Sequence, residues 1–119
     1  MNILLLTNND VGLYRFRREL LEVLLREHTV TLALPEGRFT QEFRAMGCRV
    51  EPITLDRHSV NPISEFSLFL RYLSLIRRIQ PNLALTYTVK PNVYGGLACR
   101  LLHVPVLANV TGLGMAVEN

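Results

Sequence analysis

Three features of the sequence predict an α/β fold: a Rossmann-like parallel five-stranded sheet of order 3-2-1-4-5 with helices on both faces. Short apolar, β-favouring runs recur at residues 2–6, 29–34, 49–55, 83–88 and 106–110. The stretches between them carry helical periodicity or helix punctuation. Residues 2–6, apolar after Asn2, and 83–88, apolar and β-favouring, suit strands buried on two sides. Alternating strands and helices imply parallel pairing through right-handed crossovers, the half-Rossmann arrangement.

Taken in order, residues 2–6 form the first strand and residues 7–12 a polar loop. Residues 13–27 follow as a helix, with Leu13, Phe16, Leu20 and Leu24 on one face. Arg15/Glu19, Arg18/Glu22 and Glu22/Arg26 stand four apart with opposite sign, which supports an exposed face. The second strand, 29–34, stops at Pro35. A short helix spans 39–46, with Gly47 placed as its C′ glycine. The third strand is 49–55, and 56–62 is a loop because Asn61 precedes a proline. Ser64 is expected to cap a helix running to about Gln80, closed by Pro81. After the fourth strand, Pro91 opens another helix that Asn92 is expected to cap, with 93–102 as its body. The fifth strand is 106–110, and 111–115 is a glycine-containing loop.

With 119 residues, the chain is long enough for a single domain (1–119) with a real core. A hydrophobic content of 49% and the lack of any low-complexity stretch argue against disorder. The net charge of +3 permits an anionic partner without demanding one, and no nucleic-acid partner is expected. Cys48 and Cys99 lack CxxC spacing, and His28, His58 and His103 are scattered, so no metal site is expected. Isolated thiols in apolar surroundings fit a reducing cytosol. Residues 1–6 lack the basic flank of a signal peptide, and no apolar run is long enough to span a bilayer.

In an open α/β sheet, ligands meet the carboxyl ends of the strands. Topology gathers residues 7–12, 88–92 and 111–114 there. Lys90 and Asn92 stand where a ligand's charged group would be met; a solvated lysine on a connection fits the position equally well. The first loop, with Asn9, Asp10 and Gly12, is neither a GxGxxG fingerprint nor a P-loop. The helix at 65–80 carries a narrow polar stripe of Ser67, Arg71, Ser74 and Arg78 on an otherwise apolar surface. Burial beneath neighbouring helices explains such a pattern. So does a membrane-facing flank with Arg71, Arg77 and Arg78 at the lipid surface.

Four segments together resemble the amino-terminal half of family 4 glycosyltransferases of GT-B fold: residues 13–17, 56–62, 90–95 and 110–114. Within that family the likeness is to bacterial enzymes that extend polyprenyl-diphosphate-linked sugars in capsule, O-antigen and N-glycan assembly. The resemblance implies an acceptor-binding domain whose partner is a polyprenyl-diphosphate-linked sugar. It implies a cytoplasmic protein, peripheral on the inner face of the plasma membrane. It also implies a second domain, not in this sequence, that would hold a UDP-sugar donor; no cofactor is implied. The chain alone is thus expected to be inactive and to self-associate through uncovered apolar surface. By resemblance, Asn9, Asp10 and Gly12 would face the donor diphosphate, Lys90 and Asn92 the acceptor, and Thr111, Gly112 and Gly114 the cleft near the sugar. No histidine stands in the 111–114 loop, so no general base is assigned. Two other readings remain: a non-catalytic ligand-binding or regulatory module, and half of a nucleotide-sugar 2-epimerase.

Overall fold

The computed structural model describes residues 1–8, 10–54 and 61–109. Its five strands pair in parallel in the order expected: β3 (Arg49–Pro52), β2 (Thr29–Leu34), β1 (Asn2–Leu6), β4 (Leu83–Tyr87) and β5 (Val106–Asn109). The registers set Leu5 of β1 opposite Leu32 on one side and Leu85 on the other.

Side chains alternate across the sheet and so create two cores. On one face Ile3 and Leu5, Val30, Leu32 and Leu34, and Leu85 and Tyr87 pack against Leu13 and Leu21 of α1 (Asp10–Leu25) and Phe43 of α2 (Thr40–Met46). On the other, Leu4, Leu6, Ala33 and Ala84 pack against Leu68, Tyr72, Leu75 and Ile76 of α3 (Pro62–Ile79) and Ala98 and Cys99 of α4 (Gly96–Leu101). Burial on both sides is why β1 reads as an unbroken apolar run from Ile3 to Leu6.

Several local expectations need correction. The helix α1 begins at Asp10, so Asp10 and Gly12 lie in its first turn and not in a loop. Its buried stripe runs through Leu13 and Leu21, while Leu20 is exposed. Tyr14 adds to that side by stacking on Phe39. Of the expected ion pairs on α1, the described residues show Arg18–Glu22 at 3.9 Å. The cap of α3 is Asn61 and not Ser64: its side chain accepts from the Ile63 N–H at 2.9 Å, with Pro62 in the first turn. The extended backbone that a proline imposes on its predecessor is also what an N-cap needs. Gly47 does close α2, at φ 110°. The strand β3 stops at Pro52, and Leu55 and His58 fall outside the described residues.

The largest departure follows β4. Residues Pro91–Gly95 form a π-helical turn that runs on into α4, so Asn92 lies inside a helical segment and caps nothing. This turn lies close against the sheet because residue 95 is glycine. A Cβ there would fall on the Leu6 δ1 methyl, inside the core. At Gly96 a Cβ would meet nothing within 4 Å. Gly95→Ala should therefore destabilise the fold by about 1–3 kcal/mol through overpacking. Gly96→Ala, in open space on a helix, should be stabilising by up to about 1 kcal/mol. Urea denaturation of the two variants measures the contrast; equal effects would show that close packing does not select Gly95.

Candidate functional site

The carboxyl edge of the sheet is built around the end of β4. Tyr87 is the last strand residue, and the chain reverses at Thr88 with φ 70°. A β-branched residue in this region is strained, and such strain persists only where the surroundings impose it. Two bonds act here: Thr88 Oγ1 donates to the Tyr87 carbonyl, and the Asn92 N–H donates to the Thr88 carbonyl at 3.0 Å. The reversal presents Val89 to solvent and turns Lys90 back towards α3.

Lys90 and Asn92 share this turn, but their side chains serve different neighbours. The Lys90 ammonium lies 3.9 Å from Glu65 Oε1, in the first turn of α3. Both groups are largely shielded, with side-chain exposures of 13% and 26%. The other Glu65 oxygen accepts from the Tyr94 hydroxyl at 2.8 Å. That bond, with smaller contributions from desolvation and the carboxylate's charge, holds the Tyr94 phenol above its ordinary pKa. Asn92 instead ties two strands together. Its Oδ1 accepts from Thr86 Oγ1 at 2.6 Å, and its Nδ2 donates to the Asn109 carbonyl at 2.9 Å. Asn109 Nδ2 returns a bond to the Thr86 carbonyl at 3.3 Å. The ends of β4 and β5 are thereby held in register where the chain enters residues 110–114.

On the α1 side, the Arg17 guanidinium lies 5.6 Å from the centre of the Tyr87 ring. Burial raises the Tyr87 phenol, and Arg17 opposes that rise. Nearby, Asn8 Oδ1 is buried with no hydrogen-bond partner among the described residues. Asp10 and Gly12 stand at this edge by virtue of opening α1. Asn9, Thr111, Gly112 and Gly114 lie outside the described residues. Glu65, Tyr94 and Arg17 were not singled out from sequence. Only the spacing of Tyr94, four residues after Lys90 on a helix, carried a signal.

The polar stripe of α3 keeps Arg71, Ser74 and Arg78 together, and Arg77 stands apart from it. Arg71 and Arg78 line a hollow with Glu51 and Ile53, and Arg78 binds the Glu51 carboxylate through two contacts of 3.1 Å. Arg77 lines a different hollow with Gln80, Leu102 and His103. Between α3 and the π turn with α4 runs an apolar groove of about 370 Å³, lined by Pro62, Glu65, Phe66, Phe69, Tyr94 and Leu97. Ile63, Phe66, Leu70, Val93, Leu97 and Leu101 are exposed on these elements. The thiols of Cys48 and Cys99 are buried, which pushes each to about 11 and leaves them inert.

The model of the glycosyl transferase 4-like family matches residues 2–119. The chain belongs to that family. It is 27% identical over 116 residues to the Campylobacter jejuni N,N'-diacetylbacillosaminyl-diphospho-undecaprenol alpha-1,3-N-acetylgalactosaminyltransferase. The match takes in 96% of this chain and 31% of that relative, so the chain spans about a third of the relative's length. Among solved structures, a glycosyltransferase from Rickettsia africae superposes with TM-score 0.74 at 17% identity, over 90% of this chain and 28% of that one. The UDP-GlcNAc 2-epimerase of Neisseria meningitidis superposes with TM-score 0.66 at 13% identity, over 91% and 32%. Both likenesses concern the fold: the glycosyl transferase 4-like chain superposes on 28% of the one and 32% of the other.

If Asn92 ties the strand ends as described, Asn92→Ala strands the fully buried Thr86 hydroxyl. Loss of one partner of a buried hydrogen bond costs about 1–3 kcal/mol. Chemical denaturation should show that loss, and the paired variant Thr86→Val/Asn92→Ala should recover part of it.

Proposed function

We propose that this chain is the acceptor-binding half of a glycosyltransferase that moves a hexose or hexosamine from a nucleotide-sugar to a lipid-linked saccharide. The observation that carries the reading is the family match along the whole chain, joined to a shielded lysine at the carboxyl end of β4. The Campylobacter relative, whose name specifies a diphospho-undecaprenol acceptor, supports a lipid-linked substrate here. In this reading Lys90 meets an acceptor phosphate. Asp10 and Gly12, with Asn9, bring the positive end of α1 towards the donor diphosphate. Thr111, Gly112 and Gly114 line the cleft near the sugar. Asn92 contributes by holding that edge together. A further domain supplies the nucleotide-sugar site, and millimolar uridine diphosphate should barely shift the melting temperature of the 119-residue chain. A nucleotide-sugar 2-epimerase half shares the fold, and independence from a lipid acceptor would favour it.

The same reading sets the protein on the inner leaflet through α3 and α4, for surface polysaccharide synthesis. Among the described residues no helix is long and apolar enough to cross a membrane. The exposed residues Ile63, Phe66, Leu70, Leu97 and Leu101 instead offer a face to lie on one. Arg77 and Arg100 are the exposed cations nearest that face in helical phase, whereas the charge of Arg78 is met by Glu51.

Two outcomes are expected. In an enzyme containing this domain and its nucleotide-binding partner, Lys90→Ala should lower kcat/KM for the lipid acceptor at least tenfold, about 1.4 kcal/mol. Unchanged kinetics in a folded variant would remove Lys90 from the site. In co-sedimentation with anionic vesicles, Phe66→Ser/Leu97→Ser should weaken binding at every salt concentration. Arg77→Gln/Arg100→Gln should weaken it at low salt only, by about 1 kcal/mol per charge. No wild-type binding would refute the membrane face.

A further inference from the structure

Glu65 stands at the meeting point of three features: the Lys90 ammonium, the Tyr94 hydroxyl and the apolar groove. Its two oxygens are not equivalently held. One accepts a 2.8 Å bond from Tyr94, whereas the other faces Lys90 across 3.9 Å, too long for a hydrogen bond. A shielded ammonium without a compensating charge is costly, and a carboxylate close by offsets that cost. Yet a contact at this distance, with the carboxylate anchored elsewhere, is the weaker of the two. An incoming anion that can approach Lys90 within about 2.8 Å makes a stronger charge-assisted bond. Glu65 need not leave the site for this to happen, because Tyr94 holds it from the far side.

We propose that Glu65 is an internal counter-ion of Lys90 and yields it to a diphosphate-bearing ligand while remaining bound to Tyr94. This rests on the reading of Lys90 as a phosphate contact and adds a positioning residue to it. Glu65 orients the lysine before the ligand arrives. The same carboxylate repels the bound anion and so eases its release.

The opposing signs of these two effects supply the test. Glu65→Gln keeps the side-chain length and an acceptor for Tyr94 and removes the charge. Inorganic pyrophosphate and farnesyl diphosphate are titrated separately into the 119-residue chain by calorimetry at low salt, which tells a free diphosphate from a prenyl-borne one. Glu65→Gln should bind at least threefold more tightly than wild type and melt at a lower temperature without ligand. The melting deficit should shrink at saturating ligand, and Lys90→Ala should abolish the gain. A merely structural glutamate would lower stability without raising affinity. A gain with pyrophosphate marks the diphosphate alone as the ligand; a gain with farnesyl diphosphate only marks the prenyl-borne one. If Lys90→Ala weakens wild-type binding but Glu65→Gln strengthens neither probe, the counter-ion exchange is overturned and the Lys90 reading stands. If Lys90→Ala changes nothing, or no variant binds either probe, both fall.

Discussion

Parallel pairing is the constraint from which this molecule's other features follow. A parallel strand must be re-entered from the same end as its neighbour, so each return is made by a crossover. Right-handed crossovers that step one way from β1 and the other way through β4 place helices on opposite faces. Both faces of β1 and β4 are therefore buried, and every strand-to-helix passage falls on one edge. The candidate site lies on that edge for the same reason that the core has two halves.

Within the edge, the reversal after β4 sets the positions of the chemically useful groups. Thr88 in a left-handed conformation turns the chain tightly enough for a π-helical turn to begin at Pro91. Gly95 lets that turn press onto Leu6, and Asn92 stitches it to Thr86 and Asn109. Lys90 is thereby carried to α3, where Glu65, itself bonded to Tyr94, meets it. A strained residue, a close-packed glycine and a half-buried amide act together, so the lysine's position is a property of the whole junction. Such preorganisation suits the phosphate contact proposed for Lys90.

The outer surface of α3 and α4 carries a different division of labour. The inner stripe of α3, Leu68, Tyr72, Leu75 and Ile76, fills the second core. Ile63, Phe66 and Leu70 follow a separate helical line, and Val93, Leu97 and Leu101 match it across the groove. An apolar line of this length on two adjacent elements exceeds what packing of this sheet uses.

Strand order, element order and the two-sided burial of β1 and β4 were legible in the sequence, because periodicity and crossover handedness act locally or by general rule. So were the Gly47 cap and the placing of Lys90 at the edge, since αL glycines and strand ends leave residue-level marks. The family was legible too, from four short segments in order. The sequence did not disclose the true cap of α3, because Asn61 and Ser64 are both good caps and only the chain path chooses. Nor did it disclose that Asn92 is a strand tie, since its partners lie six and seventeen residues away. That Glu51 meets Arg78 depends on where β3 flanks the helix. Glu65 beside Lys90 depends on two elements 25 residues apart coming together. Such contacts leave no periodic trace; they exist only once the sheet has brought α3 and the β4 junction side by side.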